Sequence, residues 1–452
     1  MNVRIFDMKK IIIKNNEVKN EILFIILILL LNINRFTAIL SVLILFEYGR
    51  KSTEKSLKAI IYSFLISQLN TSLFDSNIGW MRTLLNLFFI INILFNKQSF
   101  KFIIRTRISL IMIIYCMYII ISSIFISWLP LVSIFKAIYF TSGFLAIFTS
   151  VMINKKRDLI YWMNIYFKVV SIINLILIVL PEGYSTNKVA LNGIFMNPNS
   201  LGVVMVLAVS IFLYCDIKKI GKYNISFVVI SSVEIFMSNS RTSIITLVLI
   251  ILYYTLVLKP MTFEFDKRTI FKQLGIVSLV SSIVLTSLLI YKDDLNILIS
   301  EKLLKGQSAD NILYSREGQI DQFRKDFYSN KILGVGFGVD NANGRIQSFQ
   351  LKLSYPVERG NIFFAILSET GILGFMIFLF LISYLFYYSK KNNNRKEFFY
   401  KMLFMISIVL ISFGEMTFFS ANSLGVIQWL FIALFTINFE KTRTNSENIL
   451  KY

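Results

Sequence analysis

The stretch YPVERGNIFFAILSETGILGFMIFLFLISYL, residues 355–385, decides the fold class of this protein. It opens with the charged residues Glu358 and Arg359, followed by Asn361. It then becomes a long apolar run in which Glu369 is the only charged side chain. About 20 apolar residues suffice to cross a bilayer as one helix. The stretch therefore predicts a membrane-spanning helix that begins directly at a polar segment.

The whole chain repeats this pattern. Of its 452 residues, 56% are hydrophobic and 16% are charged, whereas soluble domains carry about 25% charged residues. Continuous apolar runs recur from end to end, which predicts an all-α polytopic membrane protein with about 12–14 transmembrane helices. The first two runs, 22–33 and 35–47, are short. They predict either a tight hairpin around the sequence NINR or one longer helix.

The net charge of +21 indicates orientation in a membrane. Basic residues cluster in alternate short loops, as the positive-inside rule predicts for cytoplasmic segments, so we expect no nucleic-acid partner. Both termini are then cytoplasmic, and the first apolar run is an uncleaved anchor. The short outer turns carry few basic residues, namely Arg35, Arg82, Lys188 and Arg241.

One outer segment is much longer than the others. Residues 292–360 form a loop of 69 residues with ten Lys and Arg residues, and ordered loops of this length are usually functional. We divide the chain into a transmembrane region (1–291), an extracytoplasmic loop domain (292–360), and C-terminal transmembrane helices with a cytoplasmic tail (361–452). Inside the loop domain, the sequence predicts an amphipathic helix near its start. A second helix is predicted to end near Asn330, before a glycine-rich turn.

The chain contains no histidine, which removes the commonest general base near neutral pH and the commonest metal ligand. We expect no metal and no cofactor. Any catalysis would rely on carboxylates, arginines, lysines or hydroxyl groups.

Two outer features hold polar residues beside apolar runs. In LNGIFMNPNSLG, residues 191–202, Asn197 and Asn199 belong either to a plain turn, with Asn199 or Ser200 as helix cap, or to a substrate-contacting loop. Arg241 lies on a tight turn, where it either reaches lipid headgroups or binds an anion in a polar cavity.

Two lysines lie inside apolar runs. Lys136 and Lys168 could line a cavity that receives the substrate. Reaching the membrane surface or pairing with a carboxylate is an equal alternative for each.

A third outer feature joins Arg316 to the sequence LGVGFG at residues 333–338. The order SRTSII, SREGQIDQFRKDF…KILGVGFG and GNIFFAILSETGILGF resembles bacterial O-antigen ligases and Wzy-type polysaccharide polymerases. The resemblance covers roughly residues 190–390. It implies a C-type glycosyltransferase architecture in the bacterial plasma membrane, acting on its outer face without a metal on glycans linked to undecaprenyl diphosphate.

The resemblance also implies residue roles. Arg241 and Arg316 would hold the lipid diphosphate and stabilise it as the leaving group. Ligases usually have a His-Asn pair where this chain reads Gly360-Asn361, so the missing histidine favours a polymerase.

A carboxylate would then accept the proton of the attacking hydroxyl. Glu358 is the first choice, unless it only pairs with Arg359. Glu369 is the second choice, unless it is a buried structural carboxylate.

We therefore expect a membrane glycosyltransferase that polymerises lipid-linked repeat units. An O-antigen-type ligase and a lipid-linked oligosaccharide flippase remain as alternatives, although no internal repeat of the kind common in transporters is visible. The expected partners are the undecaprenyl-diphosphate-linked glycan and membrane lipids. A chain-length regulator and a flippase are candidate protein partners.

Overall fold

The computed structural model describes residues 19–74, 78–154, 157–185, 189–262, 317–339, 360–415, 417–419 and 424–437. These residues form helices joined by short turns, which confirms the predicted all-α class. The labelled helices are α1 (Arg35–Gly49), α2 (Thr53–Ser67), α3 (Gly79–Leu94), α4 (Lys97–Arg105), α5 (Arg107–Ile126), α6 (Pro130–Asn154), α7 (Arg157–Leu177), α8 (Pro198–Ile217), α9 (Asn224–Met237), α10 (Arg241–Tyr253), α11 (Lys259–Thr262), α12 (Glu317–Ser329), α13 (Ile362–Asn392), α14 (Arg395–Ser412) and α15 (Gly425–Thr436).

The chain starts with an antiparallel hairpin. Residues 19–30 are helical, and after a short turn α1 is capped by Asn34, whose side chain accepts a hydrogen bond from the Thr37 amide at 2.9 Å. Tyr48, near the end of α1, donates to Glu21 at the start of the first helical segment at 3.3 Å. The hairpin interpretation is thus confirmed, and the single longer helix is wrong.

Six described helices are long and apolar enough to cross a membrane: α5, α6, α7, α8, α10 with its extension to Met261, and α13. The pair α3 and α4 makes a seventh if its two helices, bent by 75°, form one span. Several runs counted in the predicted 12–14 spans appear as helices of 12 to 15 residues, namely α1, α2, α9 and α15. The apolar run at 274–291 lies outside the described residues.

The centre of the bundle is built on α8 and α15. Both are apolar around their whole circumference, which is the pattern of a helix buried on all sides. The apolar window of α8 is 89% buried, and α8 packs against α7, α9, α10 and α14. Helix α15 is buried from Gly425 to Thr436 and packs against α2, α6, α13 and α14.

A buried ionic network marks the end of the bundle at which α8 finishes. Glu397 of α14 pairs with Lys218 and accepts a hydrogen bond from Tyr214 at 2.6 Å. Lys401, fully buried one turn later, donates to Asn393 at 2.9 Å. Because buried charges are tolerated only when paired and hydrogen-bonded, this network fixes α14 against α8. We call this the far end of the bundle, and the opposite end, where α8, α10 and α13 begin, the site end.

The one described helix of the predicted loop domain is α12. It runs from Glu317 to Ser329, which confirms the helix predicted to end near Asn330. It packs on α13, and the ring of Phe323 stacks on that of Phe364 at 4.5 Å. The amphipathic helix predicted near residue 292 lies outside the described residues.

Candidate functional site

Four helix ends meet at the site end. Asn361 at the start of α13 donates to the carbonyl of Phe413, just beyond α14, at 3.1 Å. Two residues further on, Glu415 accepts a hydrogen bond from Asn199 of α8 at 2.9 Å. A Cβ atom added to Gly414 would lie 1.9 Å from Oγ1 of Thr242, so α14 also touches the start of α10.

Arg241 is the first residue of α10. The turn before it is tight because Asn239 adopts the left-handed conformation at φ 54°, which asparagine tolerates better than most residues. The Arg241 side chain is partly exposed, and its Nε atom is buried. A guanidinium beside a helix N-terminus adds its full charge to the positive end of the helix dipole, which favours binding of an anion.

Asn197 and Asn199 have different roles in the structure. The cap of α8 is Asn197, whose side chain accepts a hydrogen bond from the Ser200 amide at 2.7 Å. The expected cap at Asn199 or Ser200 is therefore wrong. Pro198 at the first helical position is the sequence signal that identifies the true cap. The side chain of Asn199 instead donates a hydrogen bond to the carboxylate of Glu415.

Sequence reasoning missed Glu415. It lies at the end of the apolar run 402–420, and an acid in such a position is a functional candidate on its own. The structure brings its carboxylate to Asn199, at the end of the bundle that also holds Arg241 and Asn361. Glu415 is partly exposed, and its neighbour Gly414 lies against Thr242, the residue that follows Arg241.

Asn361 caps α13. Its Oδ1 atom accepts from the Phe363 amide at 2.8 Å while its Nδ2 atom donates to the Phe413 carbonyl. Both ends of the amide thereby have partners, and the bond from Nδ2 fixes the start of α13 to the end of α14. Gly360, which precedes it, has φ 64°.

Helix α13 is broken at Gly371, which has φ 65° and ψ −173°. A break in a membrane helix frees backbone groups that must find partners elsewhere. Here the partners come from residues 331–336, which follow α12. The amides of Val335 and Gly336 donate to the carbonyls of Ser368 and Glu369 at 2.9 and 3.1 Å. On the other side of the break, the Ile372 amide donates to Lys331 at 2.9 Å.

The glycine-rich segment continues into a charged clamp. The amide of Gly338 donates to Oε2 of Glu369 at 2.8 Å, and the Gly338 carbonyl accepts from Nζ of Lys136. Glu369 is 1% exposed. One residue, Gly338, therefore joins a buried carboxylate on α13 to a lysine on α6, and both side chains hold the loop.

This clamp predicts the effect of removing one charge. We expect Glu369→Gln to destabilise the folded protein by about 1–3 kcal/mol, because a charged acceptor is lost while Lys136 stays partly buried. The double variant Glu369→Gln with Lys136→Gln should cost less than the sum of the single variants. Thermal unfolding of the purified proteins measures this coupling. Strict additivity of the two single variants would contradict the clamp.

Lys168 lies apart from the other candidates. Its ammonium donates to the Lys222 carbonyl and, at 2.8 Å, to Asn224 Oδ1. Both partners belong to the turn between α8 and α9, at the end of α8 opposite to Asn197. The structure therefore does not bring Lys168 to the site end. Arg316 and Glu358 lie outside the described residues.

Among the described residues, no three His, Cys, Asp or Glu side chains come close enough to hold a metal ion. One family model matches the chain over the region that contains Arg241, the 331–338 segment and Glu369. Residues 226–379 match the O-antigen ligase family. No curated protein and no solved structure matches the chain.

The O-antigen ligase match confirms the resemblance drawn from the three sequence motifs. It begins in α9 and ends inside α13. Together with the candidate spans, it supports a multi-pass membrane protein that is similar to O-antigen ligases over residues 226–379. Asn199 and Glu415 lie outside the matched region. Gly414, the residue before Glu415, lies against Thr242, which is inside it.

Proposed function

We propose that this protein is a polysaccharide polymerase of the bacterial plasma membrane. It transfers a growing glycan from undecaprenyl diphosphate to an incoming lipid-linked repeat unit, with the site end and the loop domain 292–360 facing outward. The observation that carries the proposal is Arg241, the first residue of α10, inside the O-antigen ligase match and next to Thr242, which lies against Gly414.

The transfer forms one bond and breaks one bond at the anomeric carbon of the donor. A hydroxyl of the acceptor sugar attacks the anomeric carbon of the donor, and the bond from that carbon to the diphosphate oxygen breaks. The departing diphosphate gains negative charge, which Arg241, together with Arg316, stabilises. The hydroxyl proton passes to a carboxylate as the new bond forms, so the oxygen of the new glycosidic bond carries no positive charge.

Glu415 and Glu358 are the two candidates for the carboxylate that accepts the hydroxyl proton. The hydrogen bond that Asn199 donates to Glu415 holds one of its carboxylate oxygens in place. Glu369 is less suited to this role, because it is buried and Gly338 already occupies its Oε2 atom.

The choice between the two bases can be tested by kinetics. If Glu415 is the base, Glu415→Gln should lower the rate of chain extension by about 10²–10⁴-fold, while Glu358→Gln retains most of the wild-type rate. Asn199→Ala should lower the rate less, because the carboxylate itself remains. A Glu415→Gln enzyme with wild-type turnover would assign the proton transfer elsewhere.

The backbone at Gly360 favours a polymerase over a ligase. The family resemblance places the ligase histidine here, yet the left-handed conformation at φ 64° costs most side chains about 1–2 kcal/mol. The backbone conformation at this position therefore suits glycine. The chain contains no histidine that could take the role of the ligase histidine.

The glycan profile of cells that lack the protein tests the proposal directly. A polymerase null mutant should accumulate single lipid-linked repeat units on the outer face. Long, unligated chains would support the O-antigen ligase alternative instead. Repeat units retained on the cytoplasmic face would support a flippase.

A further inference from the structure

A second basic side chain at the site end is turned into the bundle. Arg82 lies in the first turn of α3, and its Nε atom is buried without a hydrogen-bond partner among the described residues. An arginine this close to a helix end could reach lipid headgroups if it pointed outward. Because its Nε atom is buried although the residue is partly exposed, headgroup contact alone does not explain its position.

The surface that Arg82 faces belongs to α6. Arg82 interacts electrostatically with Tyr139, a buried residue whose hydroxyl is hydrogen-bonded to Asn86 of α3. Lys136 lies three residues before Tyr139, so the two side chains share one face of α6. A guanidinium, a phenol and an ammonium group thus line the contact between α3 and α6.

The charge at this contact is positive. Neither α3 nor α6 contains an acidic residue. Among the described residues, Glu369 is the carboxylate that interacts with Lys136, which leaves the charge of Arg82 in excess. A buried, uncompensated charge is costly, and arginine matches the oxygens of a phosphate group.

The contact is separate from Arg241 but lies at the same end of the bundle. The start of α10, which carries Arg241, lies against Gly202 of α8 and Gly414 just beyond α14, whereas Arg82 and Tyr139 belong to α3 and α6. The 331–338 segment ties α6 to the matched region through Lys136 and Glu369. Two separate cationic sites are what a polymerase requires, since its donor and its acceptor each carry a lipid diphosphate.

We propose that Arg82, Tyr139 and Lys136 form a second phosphate-binding site, which holds the lipid diphosphate of the acceptor while Arg241 holds that of the donor. This inference rests on the proposed function. Arg82 and Lys136 bind the phosphate oxygens, and the Tyr139 hydroxyl donates to one of them. The site takes no part in breaking the donor bond, and it positions the acceptor sugar.

Binding stoichiometry tests the proposal without any turnover. Farnesyl diphosphate serves as the probe, titrated calorimetrically into the full-length protein in phosphatidylcholine nanodiscs. We expect wild-type protein to bind two equivalents, Arg82→Gln to bind one, and Arg241→Gln to bind one. Arg82→Lys, which keeps the charge but loses the planar fork, should bind two equivalents with weaker affinity at one site.

Arg50→Gln is the matched control. Arg50 is exposed and paired with Glu47 at 2.8 Å, so its replacement should leave both equivalents in place. Wild-type stoichiometry in Arg82→Gln overturns the proposal. So does loss of the Arg82-dependent equivalent when phosphatidylglycerol replaces phosphatidylcholine, because the site would then take a phospholipid headgroup. If Arg241→Gln still binds two equivalents, the proposed donor site fails while the Arg82 site stands.

Discussion

Replacing Arg241 with alanine is expected to lower chain extension by about 10²–10³-fold, the range seen when one charge-stabilising donor is removed from an active site. The reason is that negative charge on the diphosphate develops only as the anomeric bond breaks. A group placed to meet that charge lowers the barrier more than it strengthens substrate binding. The maximal rate should therefore fall more than the apparent affinity for the lipid-linked donor.

The measurement is extension of lipid-linked repeat units by purified protein, resolved by length on a gel. Arg241→Lys should recover part of the rate, because it restores the charge without the planar fork. Arg50→Ala is the control, since Arg50 is exposed and already paired with Glu47. Wild-type chain lengths from a well-folded Arg241→Ala protein would remove Arg241 from the reaction.

Replacing Gly371 with alanine should have the second large effect, on the fold itself. Gly371 has φ 65°, a conformation that costs a residue with a side chain about 1–3 kcal/mol. A Cβ atom there would also lie 2.2 Å from the carbonyl oxygen of Ile332. The 331–336 segment would have to move, which would release the amides that it pairs across the break.

We expect Gly371→Ala to lower the melting temperature of the purified protein and to abolish chain extension. Gly318→Ala in α12 is the matched control, because a Cβ atom at that position meets nothing within 4 Å. In an ordinary helix such a change is neutral or stabilising by up to about 1 kcal/mol. Equal melting temperatures for the two variants would show that the break does not depend on glycine.

Hydropathy alone was sufficient to predict several features. The all-α membrane class, the helix ending near Asn330 and the tight turn before Arg241 follow from local patterns, whereas the first two apolar runs allowed either a hairpin or one longer helix. A bilayer requires each spanning segment to satisfy its own backbone, so length and apolar content decide whether a segment crosses. The number of spans was harder to predict, since α1, α2, α9 and α15 are apolar but short.

The composition of the site required the tertiary structure. Lys136 and Lys168 look alike in sequence, yet one binds Gly338 and the other binds the turn between α8 and α9. A lysine inside an apolar run indicates that a polar partner exists, but the partner is set by helix packing. For the same reason, the Arg82 side chain could be assigned to protein rather than lipid only from its burial.

The sequence by itself determined which segments are helices in a membrane, where the charged boundary segments lie, and which family motifs they carry. The tertiary structure alone decided that Asn199 meets Glu415, and that the glycine-rich segment closes the break at Gly371. Asn199 and Glu415 are 216 residues apart. Local hydropathy determines which segments are long and apolar enough to cross the bilayer as helices. Contacts between helix ends depend on how all the helices pack together.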